Sequence, residues 1–132
     1  MGQPAARMTD SVVGVDVHIV MIPSPGGPVP TPLPHPFNGK IMSGCSTDVM
    51  IANQPAAVVG ATANCIPPHI PQGGPFQIPP TNQGTIQMGS TTVLINNKPA
   101  ARVGDTVMTC ADPAPTPNSK IAGPGAPTVL IA

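Results

Sequence analysis

Three copies of one tetrapeptide organise this chain of 132 residues: Gln3-Pro4-Ala5-Ala6, Gln54-Pro55-Ala56-Ala57 and Lys98-Pro99-Ala100-Ala101. Self-similarity at a regular period marks one supersecondary unit used repeatedly, so the fold has to give three like pieces like surroundings. In two copies an Arg follows at once and an Asp stands six residues after the Pro, Arg7 with Asp10 and Arg102 with Asp105, whereas the middle copy has Val58 and Ala61. A second piece recurs at the end of each unit, over Gly44–Ile51, Gly89–Ile95 and Gly125–Ile131. Each reads as a short apolar strand behind a glycine turn.

In the first two units that strand runs through Asn53-Gln54 or Asn96-Asn97-Lys98 into the next Pro-Ala-Ala, which predicts a β-hairpin. The third strand has no such successor, and the Pro4-Ala5-Ala6 strand is its natural partner. The simplest closed arrangement is one domain, residues 1–132, formed as a ring of three units at about 3–53, 54–97 and 98–132. Period-two alternation along Val49 and Ile51, Val93 and Ile95, and Val129 and Ile131 assigns these side chains to one face, either the core or a threefold contact surface.

With 21 Pro and 14 Gly, the chain has a composition that without a period would read as disordered. The repeats put these residues in phase, and the apolar content is dominated by Val and Ile, with no Glu and little Leu. Strand formers abound and helix formers are scarce, so the fold class is all-β. The stretches Pro23–Pro36, Pro67–Pro80 and Pro113–Pro117 read as rigid loops, since proline fixes φ. Val12–Ile22 is apolar at every second residue and mostly apolar between, which predicts a strand buried on both faces.

Several function classes drop out on composition. Five basic residues, spread out, with no Trp or Tyr, make neither a phosphate-binding stripe nor a stacking platform, so no nucleic acid partner is expected. No run reaches the length of a membrane span, and the N-terminus lacks a signal peptide, which places synthesis in the cytoplasm. No enzyme is expected: there is no Glu to act as base for a metal-bound water, no H-E-x-x-H and no nucleophile elbow.

Pro4-Ala5-Ala6-Arg7, Pro99-Ala100-Ala101-Arg102-Val103-Gly104-Asp105 and the paired Thr-Val-Leu-Ile strands resemble the Pro-Ala-Ala-Arg (PAAR) repeat family, and the resemblance runs along nearly the whole chain. Members tip the spikes of contractile injection systems such as type VI secretion, tailed phages and phage-tail-like particles. The resemblance implies a β-rich cone with threefold pseudo-symmetry, a wide face seated one chain per trimer on a homotrimeric β-helical spike protein of the valine-glycine-repeat kind or its phage counterpart, and a point that carries a metal. It further implies transient contact with a target membrane and delivery outside the producing cell on the assembled particle. The chain ends directly after the third strand, so no toxin domain is expected, and the runner-up function is an adaptor that loads effector cargo.

The candidate ligands are three His and three Cys. Cys65 lies ten residues after Pro55 and Cys110 eleven after Pro99, nearly equivalent places, and His18 falls in the matching strand of the first unit. A fourth ligand is expected from a loop: His35 between Pro34 and Pro36 is the first choice, His69 after Pro67-Pro68 the alternative. The family's usual set of three His and one Cys favours His18, His35 and His69. Asp16, two residues before His18, is a candidate to orient it. Cys45 takes the place of Ser90 in the second unit and reads as a core residue. Imidazole with thiolate points to zinc, with iron or another transition metal as the alternative. Four protein ligands leave no open position, so the site is expected to be structural and to supply folding free energy that a narrow apex cannot obtain from its core.

Overall fold

The computed structural model describes residues 2–112 and 114–132; Met1 and Pro113, the latter opening the third Pro-rich stretch, lie outside it. Among the described residues there is no helix, and none therefore long and apolar enough to cross a membrane. Twelve strands follow in order: β1 (Gln3–Ala5), β2 (Ser11–Ile22), β3 (Val29–Ser43), β4 (Met50–Ile51), β5 (Gln54–Pro55), β6 (Thr62–Cys65), β7 (Gln83–Ile86), β8 (Leu94–Ile95), β9 (Lys98–Pro99), β10 (Thr106–Thr109), β11 (Thr116–Gly123) and β12 (Ala126–Ile131). The all-β expectation holds, and the strands sort into two layers joined by the Pro-Ala-Ala segments.

Those segments close a ring. Ala6 N–H donates to Ala101 O, Ala101 N–H to Ala57 O and Ala57 N–H to Ala6 O, each at 3.0 Å. A second set runs beside it, from Met8 to Pro55 O, Val59 to Pro99 O and Val103 to Pro4 O. Three backbones meeting this closely leave space only for a methyl group, and both alanines of every copy are buried. The repeat is thus explained by its own axis.

On one side of the ring lie the short hairpins. β4 pairs with β5 and β8 with β9 through two-residue turns, in which Ala52 and Asn53, and Asn96 and Asn97, all have positive φ. Such turns match the twist of the flanking strands. The third hairpin is made by distant parts of the chain, β1 with β12, with Gln3 opposite Ile131. Ile51, Ile95 and Ile131 are buried with Ala5, Ala56, Ala100, Ala126 and Val58, and Val49, Val93 and Val129 pack against them. The alternating face bearing these valines and isoleucines is therefore core. The side chains between them, Met50, Leu94 and Leu130, are 57%, 60% and 62% exposed.

On the other side one hairpin per unit, β2–β3, β6–β7 and β10–β11, joins a closed six-stranded barrel in the order β10-β11-β2-β3-β6-β7. Its interior holds Val12, Phe37, Ile41, Ala63, Ile86, Val107 and Ile121 above the second alanine of each copy. Two sequence expectations are corrected here. The β2 strand is not buried on both faces: Val13, Val15 and Val17 are exposed, because β2 lies on the barrel surface and only its even-numbered side chains turn inward. Cys45 does not match Ser90. Ser46 does, since Ser46 Oγ accepts the Asp48 and Val49 N–H groups just as Ser90 Oγ accepts those of Thr92 and Val93.

The stretches Pro23–Pro36 and Pro113–Pro117, expected as loops, become strand at Val29 and at Thr116. In β3 this is possible because its prolines occupy a set place. Pro30, Pro32, Pro34 and Pro36 lie opposite Met21, Ile19, Val17 and Val15, while the residues between them pair with the even positions of β2. Proline cannot donate, so it fits only where its nitrogen faces away from the partner strand on an edge. The far half of β3 is such an edge, and it offers no donors to a foreign strand.

Candidate metal centre

The end of the barrel away from the ring gathers the three histidines with Asp16 and Cys110. Alternation along β2 sends Asp16 and His18 inward with Val12 and Val20, and all four are buried. His35 faces inward from β3, opposite Asp16 in the register, and its Nδ1 lies 2.9 Å from Leu33 O, which leaves Nε2 as the nitrogen free for another partner. His69 arrives from the loop after β6, anchored where its N–H donates to Asn82 Oδ1 at 2.8 Å. Cys110 follows β10 directly.

These groups meet. Ligand atoms of Asp16, His18, His69 and Cys110 all lie within 4.8 Å of one another, a cluster able to hold a metal ion. His69 Nε2 is 3.1 Å from Asp16 Oδ2, Cys110 Sγ is 3.5 Å from the same oxygen and 3.6 Å from His18 Nε2. The His35 ring stands beside them, its centroid 5.5 Å from that of His18 and 5.7 Å from that of His69. The two phenylalanines of the chain wall the group: Phe76 is 5.6 Å from His18 and 5.3 Å from His35, and Phe37 is 6.0 Å from His69.

Cys65 stays apart from this group and offers its thiol to Pro67 O at 3.4 Å. A spacing of ten rather than eleven residues explains why. In strand phase Cys65 matches Thr109, the last residue of β10, whereas Cys110 lies one residue further, past the end of the strand, where it too turns inward beside Asp16 and His18. Cys65 packs as a small apolar residue in the barrel core. Asp16 faces His69 rather than His18. Thr109 Oγ1 donates to Asp16 Oδ1 and sits 3.0 Å from Ser119 Oγ, a position that Gly14 leaves open, since a Cβ there would meet Ser119 Oγ at 2.0 Å.

The electrostatics favour uncharged groups. Burial, then the neighbouring His69, lowers the pKa of His18, and burial together with Asp16 pushes the Cys110 thiol up to about 11. Neutral imidazole is the metal-binding form; the thiol needs a cation to release its proton. A further sign of fit is that His18 turns its Nε2 into the group, 3.6 Å from Cys110 Sγ. A divalent ion would also balance Asp16 and a Cys110 thiolate, charges that are costly to bury alone. The donor set suits a transition metal of intermediate softness. The sequence reading passed over Asp112 and the aromatic walls; the spacing Cys110-Ala111-Asp112 was the available signal for the former.

The three units give unequal shares. His18 and His35 come from the first, His69 from the second and Cys110 from the third. Residues 76–132 match the family model of the PAAR motif, a stretch that includes Cys110 and leaves the three histidines outside. No curated protein matches the chain.

Proposed function

We propose that this chain, whose residues 76–132 match the PAAR motif, is a PAAR-repeat protein of the kind found at the spike tips of injection machinery, capping a homotrimeric β-helical spike and forming a metal-hardened point. The observation that carries this reading is the spacing of Met50, Leu94 and Leu130, three exposed apolar side chains at matching places around a closed threefold ring. A threefold partner can bind each with the same surface, one contact per subunit.

At the opposite end we assign zinc to His18, His69 and Cys110, with His35 as the fourth ligand by resemblance to the family set and Asp16 compensating the charge from beside them. The site then has a structural role, tying β2, β3 and the loops after β6 and β10 together where the core is thin. Residues 23–36, 66–82 and 114–117 contain no Lys, Arg, Asp or Glu and expose Val29, Ile66, Ile70 and Ile78. An uncharged apolar point avoids the cost of moving charges into lipid, which supports a role in piercing a membrane. We place the protein's synthesis inside the producing cell and its delivery on the injected particle.

The test is to mix the protein with its trimeric spike. One chain per trimer is expected, and Met50→Asp, Leu94→Asp and Leu130→Asp combined should abolish the complex with the fold intact; capping by that triple variant would refute the assigned surface. A second reading, effector adaptor, draws on the exposed stripe of Val13, Val15 and Val17 beside Pro32, Pro34 and Pro36. It predicts that a cargo chain, rather than the spike, is lost when these valines become Thr.

A further inference from the structure

His18 has two ring nitrogens in different surroundings. Nε2 faces the cluster, 3.6 Å from Cys110 Sγ. Nδ1 turns away from it, is buried, and makes no hydrogen bond among the described residues, yet Asp112 Oδ2 stands 3.6 Å off. Asp112 is held there from both sides of His18: its N–H donates to Val17 O at 2.8 Å, and its Oδ2 accepts the Ile19 N–H at 3.0 Å. The two neighbours of His18 on β2 thus clamp the carboxylate beside the ring, and the carboxylate is almost as buried as the ring.

We propose that Asp112 is the positioning residue of the metal centre: its carboxylate takes the Nδ1–H of His18 and so fixes the tautomer that aims the Nε2 lone pair at the ion. Metal-bound histidines usually donate their other N–H to a carboxylate or carbonyl, which orients the ring and raises its basicity. The gap of 3.6 Å is a few tenths of an ångström longer than a hydrogen bond, and a small rotation of the His18 ring closes it. Asp112 also comes from the segment that supplies Cys110, two residues earlier. One loop of the third unit therefore delivers both a ligand and the group that aims another ligand, in the first unit. Asp16, the residue the sequence suggested for this task, is engaged by His69 and Thr109 instead.

This inference rests on the metal reading, and the experiment separates the two. The unmutated chain is loaded with zinc, and long-range proton–nitrogen spectra read the tautomer of His18. Nδ1–H with a metal-shifted Nε2 is expected. Asp112→Asn, which keeps an oxygen for the Ile19 N–H but loses the charge, should weaken zinc binding about tenfold in chelator competition and shift the cobalt absorption bands, with Asp112→Ala weakening it up to about a hundredfold. Melting of the metal-free Asp112→Asn chain should be unchanged. If the unmutated protein takes up neither zinc nor cobalt, the metal reading itself fails. If it binds both but His18 coordinates through Nδ1, or Asp112→Asn matches it in affinity and cobalt spectrum, Asp112 is only a loop anchor and the proposal is overturned. Should Asp112→Ala not fold, the tautomer measurement and the Asn variant still decide.

Discussion

The two ends of the molecule use the same three units in opposite ways. At the ring, every unit supplies the same parts: two alanines, a buried isoleucine and an exposed Met or Leu. At the candidate metal centre the units differ, with Asp16, His18 and the nearby His35 from the first, His69 from the second and Cys110 from the third. The difference follows from what each end has to match. A ring around a threefold axis closes only if its parts are alike, whereas a single ion is satisfied by the identity and placement of its ligands, whichever unit supplies them.

The contrast breaks most visibly at Cys110. Cys110→Ser should lose bound metal and destabilise the loaded protein severely, since structural zinc contributes on the order of 10 kcal/mol in small modules. Cys65→Ala, outside the cluster, should keep about one zinc per chain by elemental analysis. Equal loss from both variants would mean that the units contribute alike at this end too.

At the ring, Ala57→Leu should cost about 1–3 kcal/mol or prevent folding, because an added branched side chain has to enter a place where three backbones touch. Denaturant unfolding of the metal-free chain checks it. A Leu accepted there without loss would mean that the ring is not tightly closed.

Acid should act on the cluster end through His18. The lowered pKa of buried His18 means that the unfolded chain takes up a proton near the ordinary imidazole value of 6.5 while the fold resists it, so stability is present above about that pH and falls as pH drops through the folded value. Cys110 sets the other limit: its stability is present below the ordinary thiol range and is lost as pH rises towards about 11. The metal-free protein should therefore melt highest between these limits, as scanning calorimetry at stepped pH will record, and His18→Gln should flatten the acid side.

The smallest effect is expected at a turn. Ala52 has a φ of 48°, a left-handed conformation, where the second unit has Asn96. Ala52→Asn should stabilise by about 0.5–1 kcal/mol, since Asn tolerates that conformation better. Thermal melting without metal measures it, and no gain would show that the first hairpin relaxes its turn.

Much of this architecture can be read along the chain because it is written in short-range patterns. Pro-Ala-Ala recurs because only methyl groups fit the axis, Asn-Asn and Ala-Asn mark tight turns, and the pairing of β1 with β12 follows from a strand left without a neighbour. His18, His35, His69 and Cys110 were all legible as ligand types. What could not be read was phase across the barrel. Whether Val49 and Ile51 or Met50 faced the core turned on strand register, whether β2 was covered on both sides turned on its place in the barrel, and whether Cys65 or Cys110 joined the cluster turned on where β10 ends. Likewise Asp112 meets His18 across 94 residues of sequence, a contact made only when the third unit's loop folds back onto the first unit's strand. Alternation names two faces, and only the closing of the barrel decides which of them is inside.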